Sequence, residues 1–172
     1  MRNRLCGLTL AASLTLLATA ASAQPTQTAD LFYIPGTFPL LASELTTLAA
    51  KTPAPAPYFE ESDKSRRKVQ AVYTGQSRPL EKAEADYIQA YANHMKKPRY
   101  AKAYERDYLF RADGKDYWLP VQAPVADFFA KELKSGDPVS LYLLQSGGMR
   151  ASGSWQWVYL VEEFKGPTAK QP

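Results

Sequence analysis

Residues 107–145 read DYLFRADGKDYWLPVQAPVADFFAKELKSGDPVSLYLLQ, and this stretch decides the fold. Asp107–Arg111 and Lys115–Gln122 are rich in aromatic and branched residues and flank Ala112-Asp113-Gly114. An Asp-Gly step between two such runs predicts a β-hairpin, because glycine accepts the positive φ of a tight turn. Pro124 then stands at a position suited to open a helix, with Val125, Phe128, Phe129 and Leu133 as its apolar stripe and Gly136 placed to end it. Pro138–Gln145 is again strand-like.

The flanks extend this pattern. Ser146–Ser154 holds three glycines and three serines and reads as a loop, followed by a last strand over Trp155–Phe164. Upstream, Val69, Ala71 and Tyr73 alternate in a strand over Lys68–Thr74 that Gly75 is expected to stop. After Pro79, the residues Leu80, Ala83, Tyr87, Ile88, Tyr91 and Met95 share one side of a helix ending before Pro98. The order is strand, inserted helix, hairpin, helix, strand, strand. It resembles the OB fold: a mostly β, α+β domain over 67–165 built as a small five-stranded barrel, with one helix between strands three and four and an inserted helix after strand one. An SH3-like barrel or an α+β sheet are the alternatives. The resemblance is one of element order and carries no catalytic residues with it.

The ends of the chain are different in character. Arg2 and Arg4 precede an apolar run over Leu8–Leu17, and Ala21-Ser22-Ala23 supplies small residues for cleavage. This is the pattern of an export signal over residues 1–23, with Gln24 the first mature residue and a periplasmic or secreted location. The run is too short to span a bilayer, which takes about 20 residues. Residues 24–66 are expected to form an arm. It contains a short strand at Leu31–Ile34, a helix carrying Leu40, Leu41, Leu45 and Leu48, and a spacer in which Pro53, Pro55 and Pro57 alternate with small residues. Residues 166–172 form a polar tail.

Composition narrows the function. The formal charge of +4 falls to +2 once Arg2 and Arg4 are removed, which leaves little basis for nucleic-acid binding. Cys6 is the only cysteine and lies in the signal, so the mature chain has no thiol nucleophile and no disulfide. His94 is the only histidine, and neither a metal site nor a cofactor is expected.

The candidate ligand-binding residues are aromatic. Trp155, Trp157 and Tyr159 alternate onto one face of the last strand, with Trp118 and Tyr142 on neighbouring strands and Met149 and Arg150 in the glycine-rich loop. Aromatic rings combine a broad apolar face with a polar edge and suit sugar rings or protein side chains. A covering role for the Leu80–Met95 helix is the plainer explanation of the same residues. The basic group Lys96, Lys97, Arg99 and Lys102, interleaved with Tyr100 and Tyr104, reads as a solvated face. These features predict an exported monomeric binding protein of the cell envelope that contacts a protein or glycan, with no catalytic residues. The alternatives are a hydrolase using scattered carboxylates such as Asp107, Asp113 and Asp116, or an assembly factor acting through its arm.

Overall fold

A computed structural model describes residues 32–51, 66–149 and 155–167. The expected export signal lies outside them. The elements in chain order are β1 (Ile34–Gly36), α1 (Phe38–Lys51), β2 (Arg66–Pro79), α2 (Lys82–His94), α3 (Pro98–Ala101), β3 (Tyr104–Ala112), β4 (Lys115–Gln122), α4 (Ala123–Glu132), β5 (Pro138–Met149) and β6 (Trp155–Lys165). The hairpin forms as the Asp113-Gly114 step requires, both residues having positive φ.

The five-stranded barrel expectation is corrected. The strands form one mixed six-stranded sheet in the order β1-β2-β3-β4-β6-β5, and β5 also returns to pair with β2. Five strands thus make a ring, which is not a barrel. The β4–β6 junction is a single parallel pair, Val121↔Val161, and β1 is added in parallel to β2. The α+β sheet named among the alternatives fits as a mixed sheet, but α2 and α4 pack against different apolar clusters and not on one face. The strand order of the ring depends on long-range pairing, which the order of elements along the chain leaves open.

β2 makes the ring possible by being longer than expected. Its first half pairs with β5, from Arg66↔Leu144 to Val72↔Pro138, and its second half pairs with β3 as far as Pro79↔Arg106. The register shifts between Tyr73 and Ser77, and Gly75 sits inside that shift with φ of +80°. Gly75 therefore bends the strand and does not end it. Ser135 Oγ donates to Thr74 O at 2.7 Å and Gly136 N to Tyr73 O at 2.8 Å, which supply partners where the ladder is disturbed.

Two apolar clusters lie on opposite sides of the strands. The larger gathers Val69, Ala71, Phe110, Val121, Leu141, Leu143 and Val161 from the sheet with Phe129 and Leu133 from the α4 side and Phe38 and Leu41 from α1. The smaller gathers Tyr87, Ile88 and Tyr91 of α2 against Tyr104, Leu144, Val158 and Leu160. In their described part, β5 and β6 are apolar on both faces because Leu141, Leu143 and Val161 face one cluster and Leu144, Val158 and Leu160 the other. The stripe expected on α4 is divided: Phe129 is 1% exposed and Phe128 is 48% exposed, with Lys131 Nζ 5.2 Å from its ring centre.

Part of the expected arm is described. β1 pairs with β2 through Ile34↔Arg67 and Gly36↔Val69, and Phe38 and Leu41 are buried in the larger cluster, so segment 34–51 packs on the sheet. The glycine-rich loop is also shorter than expected, since Ser146–Met149 continue β5 and pair with β6, as in Gly147↔Trp157 and Met149↔Trp155.

Candidate functional site

The residues of the expected aromatic face do not share one surface where they are described. Tyr142 is 3% exposed, with the Tyr33 ring edge-on at 5.0 Å and Lys68 Nζ 5.5 Å from its ring centre. Tyr159 points to the larger cluster, where the Phe38 ring meets it at 5.5 Å and 77°. Burial pushes its hydroxyl up to about 12. This side of β6 faces α1 at Tyr159 and α4 at Phe164, whose ring meets Phe129 at 4.9 Å, whereas α2 covers Val158 and Leu160 on the other side. Arg150 and the side chains of Met149, Trp155 and Trp157 lie outside the described residues.

Trp118 is different. It lies mid-strand in β4 opposite Leu109, half-buried, and the Arg78 guanidinium carbon sits 4.5 Å from its ring centre. Such stacking satisfies the ring's negative face and holds the guanidinium flat. Arg78 also binds Asp107 Oδ2 through Nε at 3.0 Å and Glu81 Oε1 at 2.6 Å. The register pair Arg78↔Asp107 places these side chains together on neighbouring strands.

Behind Arg78 lies a carboxyl pair. The Asp107 side chain is 0% exposed, and the Glu84 carboxyl in the first turn of α2 is close enough for the two to act on each other. Burial, then the neighbouring Asp107 charge, push Glu84 up to about 7. Asp107 is also raised by burial, with Arg78 opposing the shift. The other carboxylates of the hydrolase alternative are elsewhere. Asp113 forms the hairpin turn, and Asp116 accepts from Arg111 Nε at 2.8 Å. The three do not converge. A shallow cleft beside the start of α4 is lined by Arg106, Tyr108, Val121 and Asp127, and neither Glu84 nor Asp107 lines it.

A second polar group surrounds Glu162 of β6. Tyr33 OH donates to Oε2 at 3.3 Å, Tyr100 OH donates to Oε1 at 3.1 Å, and Arg66 Nε lies 3.9 Å away. Tyr100 and Tyr104 hydroxyls are 3.0 Å apart, and Gln122 Nε2 donates to Tyr104 at 3.0 Å. Burial is the first cause that raises Tyr33, Tyr100 and Tyr104, with the Glu162 charge adding to it. Tyr100 and Tyr104 thus turn inward, while Lys96, Lys97, Arg99 and Lys102 stay exposed as expected. Because its hydrogen bonds run between four elements, α3, β3, β4 and β6, and Tyr33, this network fastens α3 to the sheet.

Sequence reasoning missed Arg78, Glu84 and the Glu162 network. Arg78 lies just past the expected end of its strand, and Glu84 is one of many exposed-looking helix carboxylates. A signal was present only for Tyr100 and Tyr104, whose interleaving with lysines was noted. Comparison with protein families, curated proteins and solved structures finds no match.

Proposed function

We propose that this chain is an exported, non-catalytic binding protein of the cell envelope that contacts a protein or glycan through its outer aromatic surface. The observation that supports this reading is Trp118 carrying Arg78 on its face. Tryptophan and arginine dominate binding energy at protein interfaces, and an indole face is also a platform for a sugar ring. In a residue serving only the core, an apolar neighbour would be expected over the ring in place of a guanidinium that is 32% exposed. Met149, Arg150, Trp155 and Trp157 belong to the proposal as the expected extension of the contact at the β5–β6 end. Tyr142 and Tyr159, being turned into packed surroundings, contribute by holding those strands. In the assembly-factor alternative, the arm strand is already paired along one side, since residues 34–36 pair with β2.

The test uses isolated cell-envelope material and the full exported protein. Trp118→Ala should weaken its retention on envelope glycan or a captured envelope protein at least tenfold, with a nearly unchanged melting temperature. Wild-type retention by the variant, or no retention of the native protein, would overturn the binding role. Export is read separately by mass spectrometry, which should find Gln24 or its cyclised form at the N-terminus. Retained Met1 on material recovered outside the cytoplasm overturns the processing.

A further inference from the structure

We infer that Glu84 and Asp107 share one proton and form a pH-sensitive latch, which fastens the first turn of α2 to β3 while the proton is held and loosens it when both groups ionise. This goes beyond the binding role and does not depend on it. The geometry carries the argument. Asp107 Oδ2 accepts from Arg78 Nε at 3.0 Å, whereas Asp107 Oδ1 and Glu84 Oε2 are both buried without a donor. Two acceptor oxygens in that position repel, and a buried acceptor without a donor is costly. A single proton turns them into a donor and an acceptor. With that proton the two side chains can hydrogen-bond to each other.

The surrounding charges favour retaining that proton. From β2, Arg78 faces the pair and lowers both groups. From the residue before α2, Glu81 adds a negative charge and draws on the same guanidinium at 2.6 Å. β4 contributes Trp118, which stacks on Arg78 and brings no charge. With the proton in place, Arg78 faces two negative charges; without it, three. The third negative charge sits at the join between α2 and the sheet, in surroundings that screen it weakly. Burial and the Asp107 charge hold Glu84 well above the usual carboxylate range, toward neutrality.

What the latch holds is the cover of the smaller apolar cluster. Glu84 lies one turn before Tyr87 and Ile88, which close over Leu144, Val158 and Leu160. Loosening the first turn of α2 therefore exposes apolar surface of β5 and β6 as pH rises.

The sign follows from linkage. An unfolded glutamate releases its proton near 4.3, while native Glu84 keeps it to about 7, so native stability falls with rising pH between those values. The experiment compares the full chain with Glu84→Gln, whose amide donates to Asp107 without titrating. Melting temperature and α2 amide exchange, corrected for intrinsic rates, are followed from about pH 5 to about pH 8. The wild type should lose about 2–4 °C and α2 protection over that range, and Glu84→Gln should lose neither. A flat wild-type profile overturns the latch. So does an unchanged slope in Glu84→Gln, which would assign the effect to another titratable group. If Glu84→Gln does not fold, carbon-13 NMR of the wild-type glutamate carboxyls decides. One midpoint near neutrality supports the latch, and midpoints all below about 5 overturn it.

Discussion

The Phe38 ring of α1 lies stacked on the Tyr117 ring of β4, with centroids 4.0 Å apart and planes 18° from parallel. The same ring meets Tyr159 of β6 edge-on, so one residue of the N-terminal segment joins two strands that pair with each other only at Val121↔Val161. Phe38 and Leu41 are 2% and 0% exposed. The closure of the core at this end therefore depends on α1.

Phe38→Ala should lower stability by about 3–5 kcal/mol, the usual cost of removing a buried phenylalanine ring. Urea unfolding of the full chain measures it. An unchanged midpoint would mean that α1 rests on the sheet without stabilising it.

The two neighbouring phenylalanines of α4 should behave oppositely. Phe129 is buried among Tyr73, Tyr108, Phe110 and Phe164, and Phe129→Ala should also cost about 3–5 kcal/mol. Phe128 is exposed, and Phe128→Ala should change stability by no more than about 0.5 kcal/mol. Equal melting temperatures for the two variants would contradict the orientation of α4.

Arg67 and Glu44 form an ion pair between β2 and α1, with the arginine side chain 9% exposed and its Nε without a partner. Glu44→Ala strands a buried guanidinium and should cost about 1–3 kcal/mol. Arg67→Met removes the charge while keeping the apolar stem, so it should cost less. The order of the two denaturation midpoints is the readout, and the reverse order would refute the asymmetry.

Alkaline titration should reveal the buried tyrosines. Tyr33 and Tyr159 are raised to about 12, and burial raises Tyr87, Tyr100 and Tyr104 further. In the unfolded chain these groups ionise near 10, so above about pH 10 the native state holds protons that the unfolded state releases. Stability falls with rising pH there. Phenolate absorbance from these residues should appear together with loss of the native circular dichroism. A smooth rise to all 11 tyrosines with the native signal intact would show that they are accessible.

Local chemistry was legible wherever one short segment decides the conformation. The Asp113-Gly114 turn, the α2 side carrying Tyr87, Ile88 and Tyr91, and the helix opened near Pro124 follow from backbone preference and periodicity. Gly75 was misread because a positive φ serves a bulge as well as a strand end, and only the partner strands distinguish the two. Phe128 and Phe129 were grouped because a stripe four residues wide does not say where burial stops.

The candidate site was less legible still. Arg78 and Asp107 are 29 residues apart and become neighbours only through the β2–β3 register. Glu84 becomes unusual only when α2 lies down on that register. The aromatic strand was visible as a run of Trp155, Trp157 and Tyr159, but the side of it facing α1 could not be read from alternation, which has no inside or outside until a partner surface arrives.

By itself, then, the amino-acid sequence determined the order and kind of the elements from β2 to β6 apart from α3, and the absence of any cysteine beyond Cys6. Those features depend on backbone preferences, side-chain spacing and composition within each segment. Only the tertiary structure decided that five strands form a ring without making a barrel, that α1 closes the larger core, and that two carboxyl groups meet beneath Arg78. These depend on register and docking between distant segments, where a shift of one residue reverses which side chains are buried.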